Sequence, residues 1–474
     1  MKLFHSKVQI TQFYSKFSGG CMKATRFLLF ALFSISAIIL HASPKKEVSL
    51  EGKLNCPYIS TQGGTIYLSV CLNVPSVENT KRKPLNLSIV LDRSGSMEDE
   101  KKMDYAKKAL RSLIDELNDD DIFSLVVYDD NIDVVRSASK VRNKQSIKSL
   151  LNEIEPRGST NLGGGMMEGF QQVEKNLDKE YTNRVILLSD GLANMGITDP
   201  YQLQKIARKY RAKSISLTTM GVGLDYNENL MVGLSESGGG NYYFIEHPTS
   251  LASIVKKEFS LLSSLVAHNA TIELKLGKNV RVKDVIGYEY DSNDGKCNIP
   301  LGDLYGNDKK EFTIELEIPK GEKSFAAVEG VLNFESKKFS SGQNFSNTIS
   351  YNNDAAVREK NTNWDIQAKV DIAQSTRKVE NAMKAMDEGR MDDAEQELKS
   401  ANQALSAAPS MSNASGEGAA MMKEQLSRLR SYKDALKNDD ARKAKKSIQY
   451  ENYNTQKKNN NYRDCFVPFA RNSQ

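Results

Sequence analysis

Between residues 85 and 266, short apolar runs of strand length alternate with stretches whose apolar positions recur at helical spacing. The strand-like runs are LNLSIVLD (85–92), DIFSLVVY (121–128), NRVILLSD (183–190), SISLTTMGVG (214–223) and NYYFI (241–245). Helical spacing falls near 103–118, 145–154, 163–178, 199–210, 227–236 and 249–264. Strands that are apolar on both faces and separated by helices predict an α/β unit, a doubly wound and mostly parallel sheet covered on both sides. Ligands of such sheets bind beyond the carboxyl ends of the strands.

The pattern changes on either side. Residues 47–75 alternate apolar and polar, most clearly in TIYLSVCLNV. Alternation returns after Ala267 in ATIELKL, VRVKDVIGYEY, KEFTIELEIP and AAVEGVLNFES, as expected of half-buried antiparallel strands. Strands on both flanks place the α/β unit as an insertion in one β-sandwich-like domain. From Trp364 the spacing is helical, with Ile366, Val370, Val379, Met383 and Met386 on one face, a break at Gly389, and a second helix through Met391, Ala394, Leu398 and Leu405. This predicts a helical hairpin that packs on the β-domain. A Ser/Gly/Ala linker (408–418) and a further helix (419–449) follow, with the basic stretch 442–446 read as a solvated face. The expected boundaries are 1–43 for an export region, 44–84 for an N-terminal β segment, 85–266 for the α/β domain, 267–350 for the β-sandwich, 351–450 for the helical region and 451–474 for a disordered tail.

Residues 27–40 read FLLFALFSISAIIL, after Lys23 and Arg26 and before Ala42 and Ser43. A basic start, a short apolar core and a small-residue exit make a secretory signal, with Met22 as the natural start. The protein is therefore expected in the periplasm, cell envelope or on the cell surface. If 27–40 were retained it would be membrane-anchored instead. An oxidising compartment permits disulfides. Cys56 and Cys71 flank the turn signal at Gln62, Gly63 and Gly64, which leaves two readings open: a cross-strand disulfide, or two separate core thiols.

Composition narrows the function classes. Over 474 residues a formal net charge of +5 is near balance and argues against nucleic acid as partner. Of four histidines only His247 and His268 lie beyond the export region, which leaves little scope for histidine-based catalysis or a zinc site. Five oxygen-bearing side chains stand out instead: Asp92, Ser94 and Ser96 in DRSGSM, Thr160 in GSTNLGGG, and Asp190 in ILLSDG. Each sits where a loop leaves a predicted strand. Two carboxylates and three neutral hydroxyls suit a hard divalent cation, Mg²⁺ before Mn²⁺ or Ca²⁺, and leave it electrophilic with a position to spare. Gly158 and Gly163 to Gly165 would allow the backbone to approach closely. The acidic runs at Asp119, Asp120 and Asp121 and at Asp129 and Asp130 are read as helix-end and turn residues.

The combination resembles the metal-ion-dependent adhesion site of von Willebrand factor type A domains. LNLSIVLDRSGSM, RGSTNLGGGM, RVILLSDG and MGVGLDYNENLMVGLSESGGGNYYFI resemble the exported bacterial branch, which is related to inter-alpha-trypsin-inhibitor heavy chains and chloride channel regulators. The segment IPLGDLYGNDKKEFTIELEIP resembles the β-domain that follows many bacterial type A domains. The resemblance implies that Asp92, Ser94, Ser96 and Thr160 hold the ion directly or through water, and Asp190 through water. It implies a binding module rather than an enzyme, completed by an acidic residue of a partner protein. The alternatives are an envelope scaffold in which the ion only ties loops together and, last, a metal-dependent hydrolase, for which no general base has a clear position.

Overall fold

The computed structural model describes residues 47–76, 82–336, 339–438 and 441–457. The export segment and the last residues of the tail lie outside them. The chain opens with strands β1 (Ser49–Leu54), β2 (Tyr58–Ile59) and β3 (Gly64–Asn73). The α/β unit follows as β4 (Leu85–Asp92), α1 (Lys102–Glu116), β5 (Ile122–Tyr128), β6 (Ile132–Lys140), α2 (Lys144–Leu150), α3 (Leu162–Glu174), β7 (Thr182–Ser189), α4 (Pro200–Arg211), β8 (Ser216–Val222), α5 (Glu228–Gly238), β9 (Gly239–Ile245) and α6 (Leu251–Ser263). Then come β10 (Leu265–Leu276), β11 (Arg281–Val285), β12 (Asp291–Asn293), β13 (Lys296–Tyr305), β14 (Lys309–Ile318), β15 (Phe325–Glu335) and β16 (Gln343–Tyr351). Helices α7 (Ala355–Lys360), α8 (Trp364–Asp387), α9 (Met391–Ala407), α10 (Ser410–Asn413), α11 (Gly416–Asn438) and α12 (Ala441–Lys457) close the described chain.

The central sheet has the order β6-β5-β4-β7-β8-β9 and is parallel except for the β5–β6 pair. Successive side chains of a strand point to opposite faces. In β4, Leu85, Leu87, Ile89 and Leu91 join the core under α1, α2 and α6, whereas Val90 joins the core under α3, α4 and α5. Asp92 continues the second set. The chain runs outward from β4 through β5 to β6 and returns to β7 on the other side of β4. The switch point therefore lies at the carboxyl end of β4, beside that of β7. Helix α3 lies close to this sheet because it presents glycine: a Cβ on Gly165 would meet the Tyr128 ring at 2.6 Å. The close approach expected of Gly165 is thus made by the helix against Tyr128. The edge strand β6 was not foreseen; its side chains are mostly exposed, so no apolar run marks it.

The flanking strands form a sandwich of two sheets, β1-β3-β14-β11 and β12-β13-β10-β15-β16-β2, with Leu68, Val70, Leu72, Ile272, Leu274, Ile299 and Ile314 between them. Residues from before and after the α/β unit share both sheets, so the unit is inserted in the sandwich. The cysteine pairing does not occur. Cys56, Cys71 and Cys297 are free, and the register sets Glu51, not Cys56, opposite Cys71. The buried Cys56 thiol donates instead to the Arg358 carbonyl oxygen at 3.4 Å.

A buried polar cluster joins the sandwich to the amino-terminal edge of the central sheet. Arg184 of β7 is fully buried and donates to Asp303 of β13 at 2.9 Å, to Tyr305, and to Thr218 Oγ1 at 3.3 Å. Ser216 and His268 also face the Asp303 carboxylate, at 2.9 and 3.3 Å. Burial alone would raise this carboxyl, but His268, Arg184 and Ser216 outweigh it and hold Asp303 at about 2.

Helices α8 and α9 form the expected hairpin, packed with α11 around Val379, Leu398, Leu405, Leu429 and Tyr432. Gln374 of α8 donates to the Tyr67 hydroxyl of β3 at 2.7 Å, which ties the hairpin to the sandwich. Two expectations fail here. Residues 451–457, expected in the disordered tail, continue α12 as helix. The basic stretch 442–446 is only partly solvated: Lys446 is 3% exposed, donates to the Tyr226 carbonyl oxygen at 2.6 Å and pairs with Glu228, to which Lys445 is also bound at 2.5 Å. Behind these lysines Tyr450 and Tyr453 set their rings edge-on against Tyr242, at 5.8 and 5.7 Å. Helix α12 therefore covers α5 and the loop before it.

Candidate metal centre

Three loops at the carboxyl edge of the central sheet bring the five predicted side chains together. The first leaves β4. Asp92 Oδ1 accepts from the Ser94 backbone N–H at 2.8 Å, an Asx-type turn that lifts the Ser94 and Ser96 hydroxyls to the same side, 3.2 Å apart. Asp92 Oδ2 accepts from the Ser189 hydroxyl at 2.8 Å and the Tyr128 hydroxyl at 3.3 Å. The second loop presents Thr160, whose backbone N–H donates to Asn194 Oδ1 at 2.9 Å. The third leaves β7 with Asp190, whose Oδ1 accepts from Ser96 Oγ at 2.9 Å.

The hydroxyls converge on a single small space. A Cβ placed on Gly191 would sit 3.2 Å from Thr160 Oγ1, 3.7 Å from Ser96 Oγ and 3.9 Å from Ser94 Oγ. Asp92, Ser94, Thr160 and Asp190 are all buried, so these oxygens are largely withdrawn from bulk water. Burial pushes the Asp92 carboxyl up to about 6, the Asp190 charge adds to the rise, and the Ser94 and Ser189 donors pull against it. Asp190 is also raised by burial, against which Lys102 and Ser96 act. Two desolvated carboxylates beside three hydroxyls are a donor set for a hard cation. Among the described residues no group of three or more His, Cys, Asp or Glu could hold a metal ion.

The geometry adds a residue that the sequence reading passed over. Lys102, the first residue of α1, is 3% exposed, and its ammonium donates to Asp190 Oδ2 at 2.8 Å and toward the Ser96 carbonyl oxygen at 3.4 Å. A lysine in an acidic, lysine-rich helix start reads as solvent-facing, and no spacing rule marks it out. Ser189, by contrast, stood inside the quoted LLSDG run.

The acidic runs take the turn roles expected of them. Asp121 accepts from the Leu85 N–H at 2.8 Å and pairs with Arg82 at 2.5 Å. Asp129 accepts from the Asn131 N–H at 2.6 Å and binds Arg93 and Arg157 at 2.7 and 2.8 Å.

The loops are held to one another by the protein itself. Gly95 N–H donates to the Gly158 carbonyl oxygen at 3.1 Å, and the Asn194 and Met195 N–H groups donate to the Thr160 carbonyl oxygen at 3.2 and 3.3 Å. Gly191→Ala tests the cradle directly. A methyl group would intrude on the space among the hydroxyls, so Mg²⁺ affinity, read by calorimetry, is expected to fall by at least about tenfold, with the melting temperature without ion nearly unchanged.

Residues 86–257 match the model of the von Willebrand factor type A domain. An uncharacterized Escherichia coli protein, YfbK, is 28% identical over 242 residues, which cover 49% of this chain and 41% of YfbK. Inter-alpha-trypsin inhibitor heavy chain H2 from Sus scrofa is 27% identical over 237 residues, covering 48% of this chain and 25% of the heavy chain. The chain thus spans less than half the length of these relatives. Among solved structures, a von Willebrand factor type A protein from Catenulispora acidiphila superimposes with a TM-score of 0.68 at 15% identity, over 88% of this chain and 98% of that one. The ArnB paralog VWA2 from Sulfolobus acidocaldarius does so with a TM-score of 0.57 at 18% identity, over 85% and 98%. These likenesses establish the fold, across the sandwich as well as the central sheet.

Proposed function

We propose that the von Willebrand factor type A domain formed by residues 86–257 is a cation-dependent docking site that grips an acidic side chain of another protein. Asp92, Ser94, Ser96 and Thr160 would hold the ion, and Asp190 would act on it from behind the serines. The ion, Mg²⁺ by its fit to hard oxygen donors, would supply an electrophilic position for an incoming carboxylate.

The observation that carries this reading is the charge of the assembled site. Two carboxylates balance a divalent cation, and the buried Lys102 ammonium beside Asp190 tips the loaded site to net positive. Such a site favours an anion over a neutral ligand. The scaffold reading is the weaker one, because the three loops are joined by their own hydrogen bonds and do not need an ion to tie them. Export of the protein is part of the same proposal and rests on the signal-like run at 27–40; among the described residues no helix is long and apolar enough to cross a membrane.

Lys102→Met separates the two halves of the proposal. Without the ammonium, the Asp190 carboxylate is no longer neutralised and the ion is no longer repelled by Lys102, so Mg²⁺ is expected to bind at least about tenfold tighter. The loaded site then loses its excess positive charge, and an Asp-containing peptide is expected to bind more weakly. Calorimetry with Mg²⁺, followed by peptide anisotropy in saturating Mg²⁺, reads both. Weaker Mg²⁺ binding, or unchanged peptide affinity, would remove the electrostatic argument.

A further inference from the structure

The surface around the candidate metal centre is asymmetric, and the asymmetry describes the partner more closely than a bare carboxylate does. Large apolar side chains left exposed are few among the described residues. Three of them, Leu192, Met195 and Tyr201, fall in the segment that directly follows Asp190, at 56%, 38% and 67% exposure. Isolated exposed hydrophobics need no explanation, but Leu192 and Met195 stand on the loop that leaves Asp190 and is fastened to Thr160, which makes them contact area beside the site. Leu192 and Met195 are also held in place rather than loose. Gly191 lies against Thr160 and the serines, and the Asn194 and Met195 N–H groups are fastened to the Thr160 carbonyl oxygen. Apolar side chains presented on a fastened loop lose little entropy on contact, which favours binding.

The segment that follows Ser96, on a different loop, is charged instead. Glu98, Asp99 and Glu100 are all exposed and follow Ser96 within four residues. Three carboxylates there repel an acidic neighbour and attract a basic one. Arg157, in the segment before Thr160, is bound to Asp129 and Asp133, so its charge is already matched.

We propose that the partner segment presents an acidic side chain with an apolar residue on the side of Leu192 and Met195 and a lysine or arginine on the side of residues 98–100. This rests on the docking reading above and specifies its partner. The contact is a short peptide or loop tip, because the apolar and acidic residues lie within a few positions of the site residues Asp190 and Ser96.

The test uses the full chain and fluorescent peptides of one length with a central Asp in an alanine background. One set has Leu before and Lys after the Asp, a second has the reverse order, and a third has alanine on both sides. Anisotropy is read in saturating Mg²⁺ and in EDTA. One of the two Leu/Lys orders is expected to bind at least about tenfold tighter than the alanine-flanked peptide, as burial of a leucine side chain implies. Leu192→Ser with Met195→Ser should abolish the leucine preference, and Glu98→Lys with Glu100→Lys the lysine preference, with Mg²⁺ affinity unchanged for the first pair. Equal Mg²⁺-dependent capture of all three peptides overturns the flanking inference alone. No Mg²⁺-dependent capture of any Asp peptide overturns the docking reading beneath it.

Discussion

Asp92→Ala is expected to abolish Mg²⁺ binding while leaving the fold intact. Asp92 meets the site from below: one carboxylate oxygen shapes the serine turn through the Ser94 N–H, and the other is held by Ser189 and Tyr128. Its loss removes both a charged ligand and the bond that aligns two further ligands. Removal of a partner that only orients a metal ligand costs ten- to a hundredfold in affinity, so the loss here should exceed about a hundredfold. The protein without ion loses the acceptor of three donors, about 1–3 kcal/mol each where one is left unsatisfied, offset in part by relief of the burial penalty on the carboxylate, so its melting temperature should fall while it still folds. The clearest readout is ligand-induced stabilisation. Mg²⁺ at a hundred times its Kd should stabilise the parent protein by about 2.7 kcal/mol and the variant not at all. A variant with the same Mg²⁺-dependent rise in melting temperature would show that the ion, if bound, lies elsewhere.

Arg184→Met is expected to be the most destabilising of the changes considered, at about 3–5 kcal/mol in urea unfolding. The guanidinium is fully buried between the Asp303 carboxylate, Tyr305 and Thr218, and its removal leaves the buried Asp303 charge to Ser216 and His268 alone. The same cluster sets an acid limit. An unfolded aspartate titrates near 3.9, and Asp303 is held at about 2 in the folded protein. A lowered folded value means that the contribution, roughly 2–3 kcal/mol, is fully present well above pH 4 and is lost as pH falls from about 4 through 2. Arg184→Met should flatten that part of the stability profile. Mg²⁺ affinity should not change, because Arg184 begins β7 whereas the metal centre lies at its other end. A change in Mg²⁺ affinity would instead indicate coupling along the strand.

The convergence of the five oxygen-bearing side chains was legible in the sequence because its elements are local. A carboxylate at a strand end, two serines spaced one apart, and an aspartate before glycine each carry their geometry in a few residues, and the apolar strands beside them reveal the edge on which they meet. Thr160 needed the added assumption that its loop returns to β4, which the Thr160–Asn194 and Gly95–Gly158 bonds show. The insertion of the α/β unit in the sandwich was legible from the change of period on either side of it. What escaped depends on contacts distant in sequence. Lys102 is buried because Asp190, 88 residues away, draws it in. Lys446 is buried by Glu228, 218 residues away. The turn between Cys56 and Cys71 left a disulfide open as one of two readings, and the observed register, with Leu54 opposite Leu68, selects separate thiols. Strand β6 escaped because an exposed edge strand has no apolar face to announce it.

The central claim is that the cation at Asp92, Ser94, Ser96, Thr160 and Asp190 keeps a position for a carboxylate from outside the chain. Coupled binding tests it most directly: the Mg²⁺ Kd is measured by calorimetry in the presence and absence of a saturating Asp-containing peptide. Binding energies between two ligands are reciprocal, so a shared coordination sphere must appear in the Mg²⁺ affinity itself. The account predicts at least about a fivefold tighter Mg²⁺ Kd with the peptide present, and no such shift with the matching Asn peptide. An Mg²⁺ Kd indifferent to the peptide's carboxylate would contradict it.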